Sequence, residues 1–240
     1  MLTPDEFTKE LYETLDRIPR CETDEYFVRF ISGKFNRADL QNYHRLLYHV
    51  CHNFVKLVSA VHTHARNLEE REVVAQNFVE EYAFGKLEFN HPRLALEMAK
   101  RTGLTQEYIE KQPLPPGVQE AFSDIQRLAM SSFVEGLAAL IVTESDLTRR
   151  HPPMRRALVE YYGVPAEQLK YYDEHISEGS SIRDSSGYGG DEVHVAREIR
   201  LLASGCATGA DQDAVRRAIQ VTAQAHLKFA QSARVAAAAA

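Results

Sequence analysis

The stretch FVEGLAALIVTE, residues 133–144, decides the fold class of this chain. Almost every position in it is apolar, which is typical of a segment buried on all sides in a protein core. Helical spacing of apolar residues continues around it, and the proline-rich connector PLPPG, residues 113–117, comes before it. We therefore predict one long central helix over residues 118–146.

Helical spacing also extends through the rest of the chain. Sustained alternation of polar and apolar residues is missing, and no Asn-Gly or Asp-Gly pair marks a hairpin. The 240 residues are enough for one core, and no internal repeat suggests a second domain. We predict an all-α, single-domain bundle over residues 1–235, with a disordered or added tail over 236–240. The other helices are predicted over residues 4–16, 24–31, 37–65, 70–83, 91–103, 105–111, 152–162, 165–177, 191–203 and 211–234.

Charge and cysteine content narrow the class of function. The formal net charge is −6 and the basic residues are scattered, so we expect no nucleic-acid partner. Cys21, Cys51 and Cys206 lie far apart, and we expect reduced thiols in a cytoplasmic protein. The first residues do not have the pattern of a signal peptide, and the longest apolar run, residues 136–142, is too short to cross a bilayer. We therefore expect no membrane association.

Glu144 closes the apolar stretch with a carboxylate. If it faces the same way as Leu140 and Ile141, it points into the core, where a carboxylate has to be paired, protonated or bound to a metal. The alternative is a position on the rim of the helix, in water.

A second acid and a histidine lie in residues 77–92. On one straight helix Glu81 and His91 would be about 15 Å apart, too far for one metal ion to bind both. Gly85 and the sequence Asn90-His91-Pro92 predict a bend or a restart that brings them together. The alternative is a solvated acidic face with a histidine that caps the next helix.

The segment HISEGSSIRDSSGYGGDEVH, residues 175–194, places a glycine- and serine-rich insert between two histidines. Without residues 179–190 it reads H-x-x-x-D-x-x-H, which puts His175, Asp191 and His194 on one face of a helix. In the chain as it stands, Asp191 and His194 keep the i, i+3 spacing found in metal-binding helical bundles. Ten histidines and 34 acidic residues make chance spacing an alternative.

Six residues therefore form a candidate ligand set of three carboxylates and three imidazoles. Oxygen and nitrogen donors of this kind suit iron or manganese, whereas many structural zinc sites contain thiolates. Two metal ions sharing six ligands would keep open positions for O₂ and substrate. The predicted ligands are Glu81, His91, Glu144, His175, Asp191 and His194.

With these residues the chain resembles the haem-oxygenase-like superfamily, which includes the TenA thiaminases and PqqC, and within it the diiron oxidases. The similarity extends over residues 5–232, and the spacing from Glu81 to His91, followed by Pro-x-Leu, is its most recognisable part. Glu144 fits the central-helix glutamate of these enzymes. The insert is a departure that leaves Glu178 and Glu192 as rivals of Asp191.

The resemblance implies a homodimeric bundle of about seven main helices that binds two iron ions, Fe(II) or Fe(III), and uses O₂ as co-substrate. Glu81 or Glu144 would bridge the ions, which makes these two the predicted catalytic residues. Enzymes of this branch act on fatty acids, amines or amino acids, and one type makes a nitrile from a tryptophan derivative. We favour a free amino acid or a derivative in a biosynthetic pathway, with an external electron donor as a further partner. The predicted substrate contacts are Tyr43, Tyr48, Phe133, Leu137, Ala138 and Ile141.

Three other functions are weighed against this one. A TenA-like hydrolase uses a cysteine nucleophile, and residues 118–146 contain none. A PqqC-like oxidase without a metal has no need of three carboxylates and three histidines. A non-catalytic helical binding protein is the third alternative.

The insert itself invites a functional hypothesis. Residues 179–190 contain four glycines and four serines, and ordering such a segment costs much conformational entropy. We predict that it is mobile without metal or substrate and that Arg183 or Tyr188 covers the pocket as part of a lid. The alternative is a surface insertion without a role.

Overall fold

A computed structural model describes residues 1–19, 23–82, 85–86, 90–176 and 191–238 of this chain. These residues form eleven α-helices and no strand, as the sequence predicts for an all-α bundle. Eight of the helices have 11 residues or more, and the other three are short. The helices are α1 Pro4–Arg17, α2 Glu25–Ile31, α3 Arg37–Thr63, α4 Leu68–Glu81, α5 His91–Arg101, α6 Gln106–Lys111, α7 Pro116–Ala129, α8 Phe133–Glu160, α9 Lys170–His175, α10 Asp191–Gly205 and α11 Gly209–Ala238.

Side-chain caps fix several helix starts where the sequence predicts them. Thr3 accepts a hydrogen bond from the backbone N–H of Glu6, and the Glu6 carboxylate accepts one from the backbone N–H of Thr3. Pro4 follows Thr3 at a position where no intrahelical N–H is needed. Asn36 and Thr105 cap α3 and α6 in the same way, by accepting backbone N–H groups of the first turn.

The single central helix predicted over residues 118–146 is wrong, because the chain breaks between α7 and α8. Ser132 caps α8 by accepting the backbone N–H of Glu135, and the Glu135 carboxylate accepts hydrogen bonds from the hydroxyls of Ser131 and Ser132. This exchange of hydrogen bonds is a strong start signal, and it outweighs the continuous apolar pattern on either side.

The separate helix predicted over residues 152–162 is also wrong, because α8 continues through Pro152 and Pro153 to Glu160. Each proline removes one backbone N–H and so costs a hydrogen bond inside the helix. Met154 and Leu158, which follow the prolines on α8, are both fully buried. Their burial favours continuation of the helix over a break.

Helix α8 passes through the middle of the bundle and packs against α3, α7, α10 and α11. Its first half contributes to one apolar cluster, with α1, α3 and α10, and its last half contributes to a second cluster, with α2 and α9. The polar residues that follow its apolar start therefore lie at the centre of the molecule. Within the described ranges, no helix combines the length and apolar character that crossing a bilayer requires.

Gly136 allows α8 to approach its neighbours closely. A Cβ atom at this position would lie 2.9 Å from Cγ2 of Val61 on α3 and 3.1 Å from the backbone Cα of Ala129 on α7. The first contact is shorter than side-chain packing permits, so the absence of a side chain sets the separation between these helices.

Candidate metal centre

The end of α4 and the start of α5 bring two predicted ligands together. Helix α4 ends at Glu81, and α5 begins at His91, where Asn90 caps it by accepting the backbone N–H of Arg93. The restart expected at Asn90-His91-Pro92 is therefore present. It places Nδ1 of His91 2.9 Å from Oε1 of Glu81, and both side chains are buried.

His175 joins this pair from the last position of α9. Donor atoms of Glu81, His91 and His175 all lie within 4.8 Å of one another, and the two imidazole rings are 4.3 Å apart between centroids. Nδ1 of His175 donates to the carbonyl oxygen of Tyr171 at 2.7 Å, which leaves Nε2 as the ligand atom. Nε2 of His91 is buried and has no hydrogen-bond partner among the described residues. We call Glu81, His91 and His175 the His91 half of the centre.

The pKa values of the two histidines of the His91 half are shifted in opposite directions. Burial lowers the pKa of His91, but the adjacent Glu81 carboxylate outweighs burial and raises this pKa above its usual value. Burial and the neighbouring His91 hold the pKa of His175 well below its usual value, so His175 is neutral. A neutral imidazole is the form that binds a metal.

A second group of donors comes from α8 and α10. Oε1 of Glu144 accepts a hydrogen bond from Nδ2 of Asn77, which also donates to Oε1 of Glu198 at 3.3 Å. Nδ1 of His194 lies 3.5 Å from Oε1 of Glu144, and Nε2 of His194 contacts the Glu80 carboxylate on α4. The Glu80 contact holds the outer nitrogen of His194 and turns Nδ1 towards the other acids.

Asp191 opens α10 beside these residues. It is buried, and its Oδ2 has no hydrogen-bond partner in the described part of the chain; the same is true of Oε2 of Glu144 and Oε2 of Glu198. We call Glu144, Asp191, His194 and Glu198 the His194 half of the centre.

The pKa values of the His194 half show how acidic it is. Burial is the main cause that raises the pKa of Asp191 and that of Glu198 well above their usual values, and the negative charge of Glu144 is the second cause. Burial alone would lower the pKa of His194, but Glu144 and Glu80 together raise it well above its usual value. Carboxylates so close together in a dry interior require protons or a cation.

The donor set of both halves fits iron. All donors are carboxylate oxygens or imidazole nitrogens, a combination that suits iron and manganese. Unpartnered buried atoms, namely Nε2 of His91 and one carboxylate oxygen each of Glu144, Asp191 and Glu198, are what a metal ion would complete.

A cavity lies on the face of α8 that carries Thr143 and Arg150, next to the face that carries Glu144. The centres of water-sized molecules can occupy about 60 Å³ of it, within about 630 Å³ of empty space that includes open solvent, and its walls come from α3, α7, α8 and α11. His226 lies at one side of it, with Nδ1 2.6 Å from Oδ2 of Asp146 and Nε2 3.4 Å from the Thr143 hydroxyl. The lining residues are Val50, Asn53, Phe54, Leu57, Ala121, Phe122, Ile125, Gln126, Thr143, Arg150, Ala225, His226 and Phe229.

Comparison with known families identifies the class of protein. A family model described as an iron-containing redox enzyme matches residues 41–227, which include the whole of both halves of the centre. The chain belongs to this family of iron-containing redox enzymes. The match agrees with the oxygen and nitrogen donors that the fold collects around α8.

Curated relatives of this iron-containing redox enzyme are similar at low identity. The 4-aminobenzoate synthase of Chlamydia pneumoniae is 27% identical over 152 residues, which are 63% of this chain and 66% of the relative. The 4-aminobenzoate synthase of Chlamydia trachomatis is also 27% identical over 152 residues, which are 62% of this chain and 64% of the relative. The match therefore spans slightly less than two thirds of the length of these relatives.

Solved structures share the fold. A CADD-like protein of unknown function from Nostoc punctiforme superposes with a TM-score of 0.75 at 12% identity, covering 97% of this chain and 98% of that one. A protein with a haem-oxygenase-like fold from Shewanella denitrificans gives 0.73 at 14%, with 98% and 94% covered. A TenA homologue from Pseudomonas syringae gives 0.72 at 13%, with 96% and 92% covered. The fold of this iron-containing redox enzyme is therefore haem-oxygenase-like.

The six predicted ligands are all at or beside this centre. Five of them are buried, and the side chain of His194 is 13% exposed. His175 ends α9 and Asp191 begins α10, so the row predicted on one face of a helix is divided between two helices. Glu192 is exposed, whereas Asp191 is buried beside Glu144, which favours Asp191 as the ligand. Glu178, Arg183 and Tyr188 lie outside the described residues.

The predicted substrate contacts lie away from the cavity. Tyr43 is buried and accepts a hydrogen bond from the Tyr172 hydroxyl at 3.2 Å, and Tyr48 donates to Glu110 at 3.5 Å. The four apolar residues proposed as a wall are packed in the core cluster of α8 instead, and none of them lines the cavity. These four are Phe133, Leu137, Ala138 and Ile141.

Sequence reasoning missed Glu198, Glu80 and Asn77. Glu198 follows Asp191 by seven residues and His194 by four, so a search forward along the α10 face would have found it. Glu80 and Asn77 carry no comparable signal, because an acid next to Glu81 and an amide one turn earlier are ordinary on a helix surface.

Proposed function

We propose that this chain is an O₂-dependent oxidase or oxygenase with two iron ions, one in each half of the centre. The observation that carries the proposal is the buried cluster of Glu81, His91 and His175, whose donor atoms lie within 4.8 Å of one another. The contacts that join Glu144 to His194, and through Asn77 to Glu198, support a second group of donors. Membership of the iron-containing redox enzymes supports the metal and the redox chemistry.

The residues of the centre would divide the work. Glu81, His91 and His175 would hold one ion, and Glu144, Asp191 and His194 the other. When bound, the iron supplies the activation of O₂. The carbonyl oxygen of Tyr171 holds the Nδ1 proton of His175, and Glu80 holds the Nε2 proton of His194, so each histidine presents its remaining nitrogen as a ligand.

We propose the cavity beside α8 as the substrate site. Thr143 and Arg150 line it at seven-residue spacing, whereas Glu144 and His151, also seven residues apart, lie on the next face of the helix. The His151 ring is 4.9 Å from the His175 ring, so the face of α8 that carries Glu144 and His151 is turned towards the proposed metal centre. A substrate in the cavity would therefore be one step around α8 from the iron.

The proposed substrate is an amino acid or an aromatic amine derived from one. The cavity has three phenylalanine rings among its lining residues, together with five polar or charged residues, namely Asn53, Gln126, Thr143, Arg150 and His226. Aromatic walls combined with polar groups that fix orientation suit a small aromatic molecule with polar substituents. The related chlamydial proteins are named for an aromatic amine product, 4-aminobenzoate, which supports this class.

Anaerobic titration with Fe(II), followed by exposure to O₂, tests the iron assignment. The wild-type protein should bind two iron ions per chain, consume O₂ and develop a transient visible absorption band. Glu144→Gln should bind fewer ions, whereas Glu135→Gln, earlier on the same helix and away from the centre, should behave as the wild type. Absence of iron uptake by the wild type would refute the oxidase assignment.

A cavity-filling variant tests the substrate assignment. Ala225 lines the cavity, and a leucine there should abolish O₂-dependent consumption of the amino acid or arylamine that the wild type consumes, with two irons still bound. Ala210 is exposed on the same helix, so Ala210→Leu is the matched control. If Ala225→Leu consumes substrate at the wild-type rate, the substrate lies elsewhere.

The state of Cys51 and Cys206, the two cysteines among the described residues, gives no support to a TenA-like hydrolase. Burial raises the pKa of Cys51, so its thiol is protonated and a poor nucleophile. Cys206 follows the last residue of α10, and burial raises its pKa to about 11. Homodimer formation, an external electron donor and a cytoplasmic location stay predictions from the sequence.

A further inference from the structure

We propose that Glu198 is a metal ligand of the His194 half and gives the centre a fourth carboxylate. This inference rests on the proposed function, since it assigns a residue to the same pair of ions. Neither the spacing motif nor the resemblance to known oxidases assigns a role to this residue.

The position of Glu198 on α10 is that of a ligand. It follows His194 by four residues and Asp191 by seven, so the three side chains lie on one face of the helix. The residue is 1% exposed, and its Oε2 has no hydrogen-bond partner among the described residues. An unpartnered carboxylate oxygen in the core is costly unless a proton or a cation completes it.

Asn77 holds Glu198 beside an expected ligand. Its Nδ2 donates both to Oε1 of Glu144 and to Oε1 of Glu198, so one amide group fixes two carboxylates at a common point. Each carboxylate keeps its second oxygen, Oε2, without a partner in the described chain. The amide thereby orients two free oxygens from two different helices, as residues behind metal ligands do.

The ligand count of known bundles favours a fourth carboxylate. Helical bundles that hold two irons use four carboxylates and two histidines as ligands. Glu81, Glu144 and Asp191 would supply three carboxylates, and Glu198 would supply the fourth. The Glu80 carboxylate, which contacts His194, adds a further negative charge outside the ligand set.

Metal binding by Glu198→Gln tests the inference, with Glu192→Gln as a control on the same helix. Glutamine keeps the size of the side chain and an acceptor for Asn77 but removes the charge. Under anaerobic Fe(II) titration, and with Mn(II) followed by electron paramagnetic resonance, the wild type and Glu192→Gln should bind two ions. Glu198→Gln should bind one ion normally and the second at least about tenfold more weakly.

Thermal melting separates a ligand from a purely structural residue. Without metal, Glu198→Gln should melt above the wild type, because a buried acid next to Glu144 has been removed. With saturating Mn(II) its rise in Tm should be smaller than that of the wild type. A structural residue would lower Tm in both conditions, and that result would overturn the assignment.

The remaining outcomes are also decisive. Two ions bound by Glu198→Gln with wild-type affinity would overturn this inference and leave the proposed function intact. A wild-type protein without metal affinity would overturn both. If Glu198→Gln does not fold, Glu198→Asp is the second variant, because it keeps the charge but shortens the side chain by one methylene group. Weaker binding of the second ion by Glu198→Asp would support ligation by Glu198. Unchanged binding would refute it.

Discussion

The two halves of the centre differ in charge and in how their histidines are held. The His91 half has two imidazoles and one carboxylate, with His175 fixed by a backbone carbonyl group. The His194 half has one imidazole and three carboxylates, with His194 fixed by the side chain of Glu80. The first half can exist without a metal at little cost, whereas the second brings like charges together in the core. We therefore expect the His194 half to gain more stability from metal binding.

Replacement of His175, a proposed ligand in the His91 half, should have the largest effect on metal binding. In His175→Gln the neutral imidazole is replaced by a weaker amide donor, so the ion of this half should bind at least about 100-fold more weakly while the other remains. Anaerobic Fe(II) titration measures both sites. His52→Gln, an exposed histidine on α3, is the control and should bind as the wild type does. Simultaneous loss of both ions would mean that the halves do not act separately.

Removal of the charge that supports His194 should have a smaller effect, confined to the other half. Glu80→Gln keeps an acceptor for Nε2 of His194 but makes it neutral, so the affinity of the His194 half should fall about 10- to 100-fold. Glu69→Gln, exposed at the start of the same helix, should leave both sites unchanged. A loss of affinity in the His91 half instead would reverse the roles given to Glu80 and Glu81.

The pH dependence of stability should show the smallest of these effects, and only in the metal-free protein. Asp191 and Glu198 have pKa values raised well above the usual range by burial and by Glu144. Between the pKa values of the unfolded chain and the raised values of the folded protein, the folded protein binds more protons. The stability of the folded protein therefore falls as the pH rises through this range. The raised pKa of His194 acts in the same direction above its unfolded value of about 6.5.

Two other histidines oppose this trend only at lower pH. Burial lowers the pKa of His175 and that of His151 well below the usual value, so their stabilising effect is complete above about pH 6.5 and declines below it. Between pH 6.5 and 8.5 the Tm of the metal-free protein should therefore fall, by about 3 °C for each kcal/mol lost. Saturating Mn(II) should abolish the decline. A Tm that rises over this interval without metal would contradict the charge difference between the halves.

The ligand residues show how far a sequence pattern reaches. The restart at Asn90-His91-Pro92 is readable because a cap and a proline determine it locally, and it accounts for the meeting of Glu81 and His91. The meeting of Glu144 with His194 depends on the packing of α8 against α10, which no local pattern specifies. The row of His175, Asp191 and His194, predicted on one face of a helix, is divided between α9 and α10.

Features that the local pattern does not specify have physical explanations as well. Apolar continuity hid the break before α8, although the start signal at Ser132 and Glu135 was present in the sequence. Leu137 and Ile141, predicted as part of a substrate wall from their apolar character, are packed in the core, and their contact with a substrate stays a prediction. Glu80 gains its role from the position of His194 on another helix, so only the three-dimensional structure reveals it.

The close approach of α8 to α3 and α7 at Gly136 affects the position of Glu144, the proposed ligand eight residues later. Glu144 follows Gly136 by eight residues, about 12 Å along a stiff rod. A methyl group at Gly136 would press against Val61 and the backbone of Ala129 and act as a wedge under the beginning of α8. The absence of a side chain at Gly136 therefore helps to set how deeply the Glu144 carboxylate lies in the bundle, two helical turns away. A residue that takes no part in the chemistry thus contributes to the alignment of the acidic side chains.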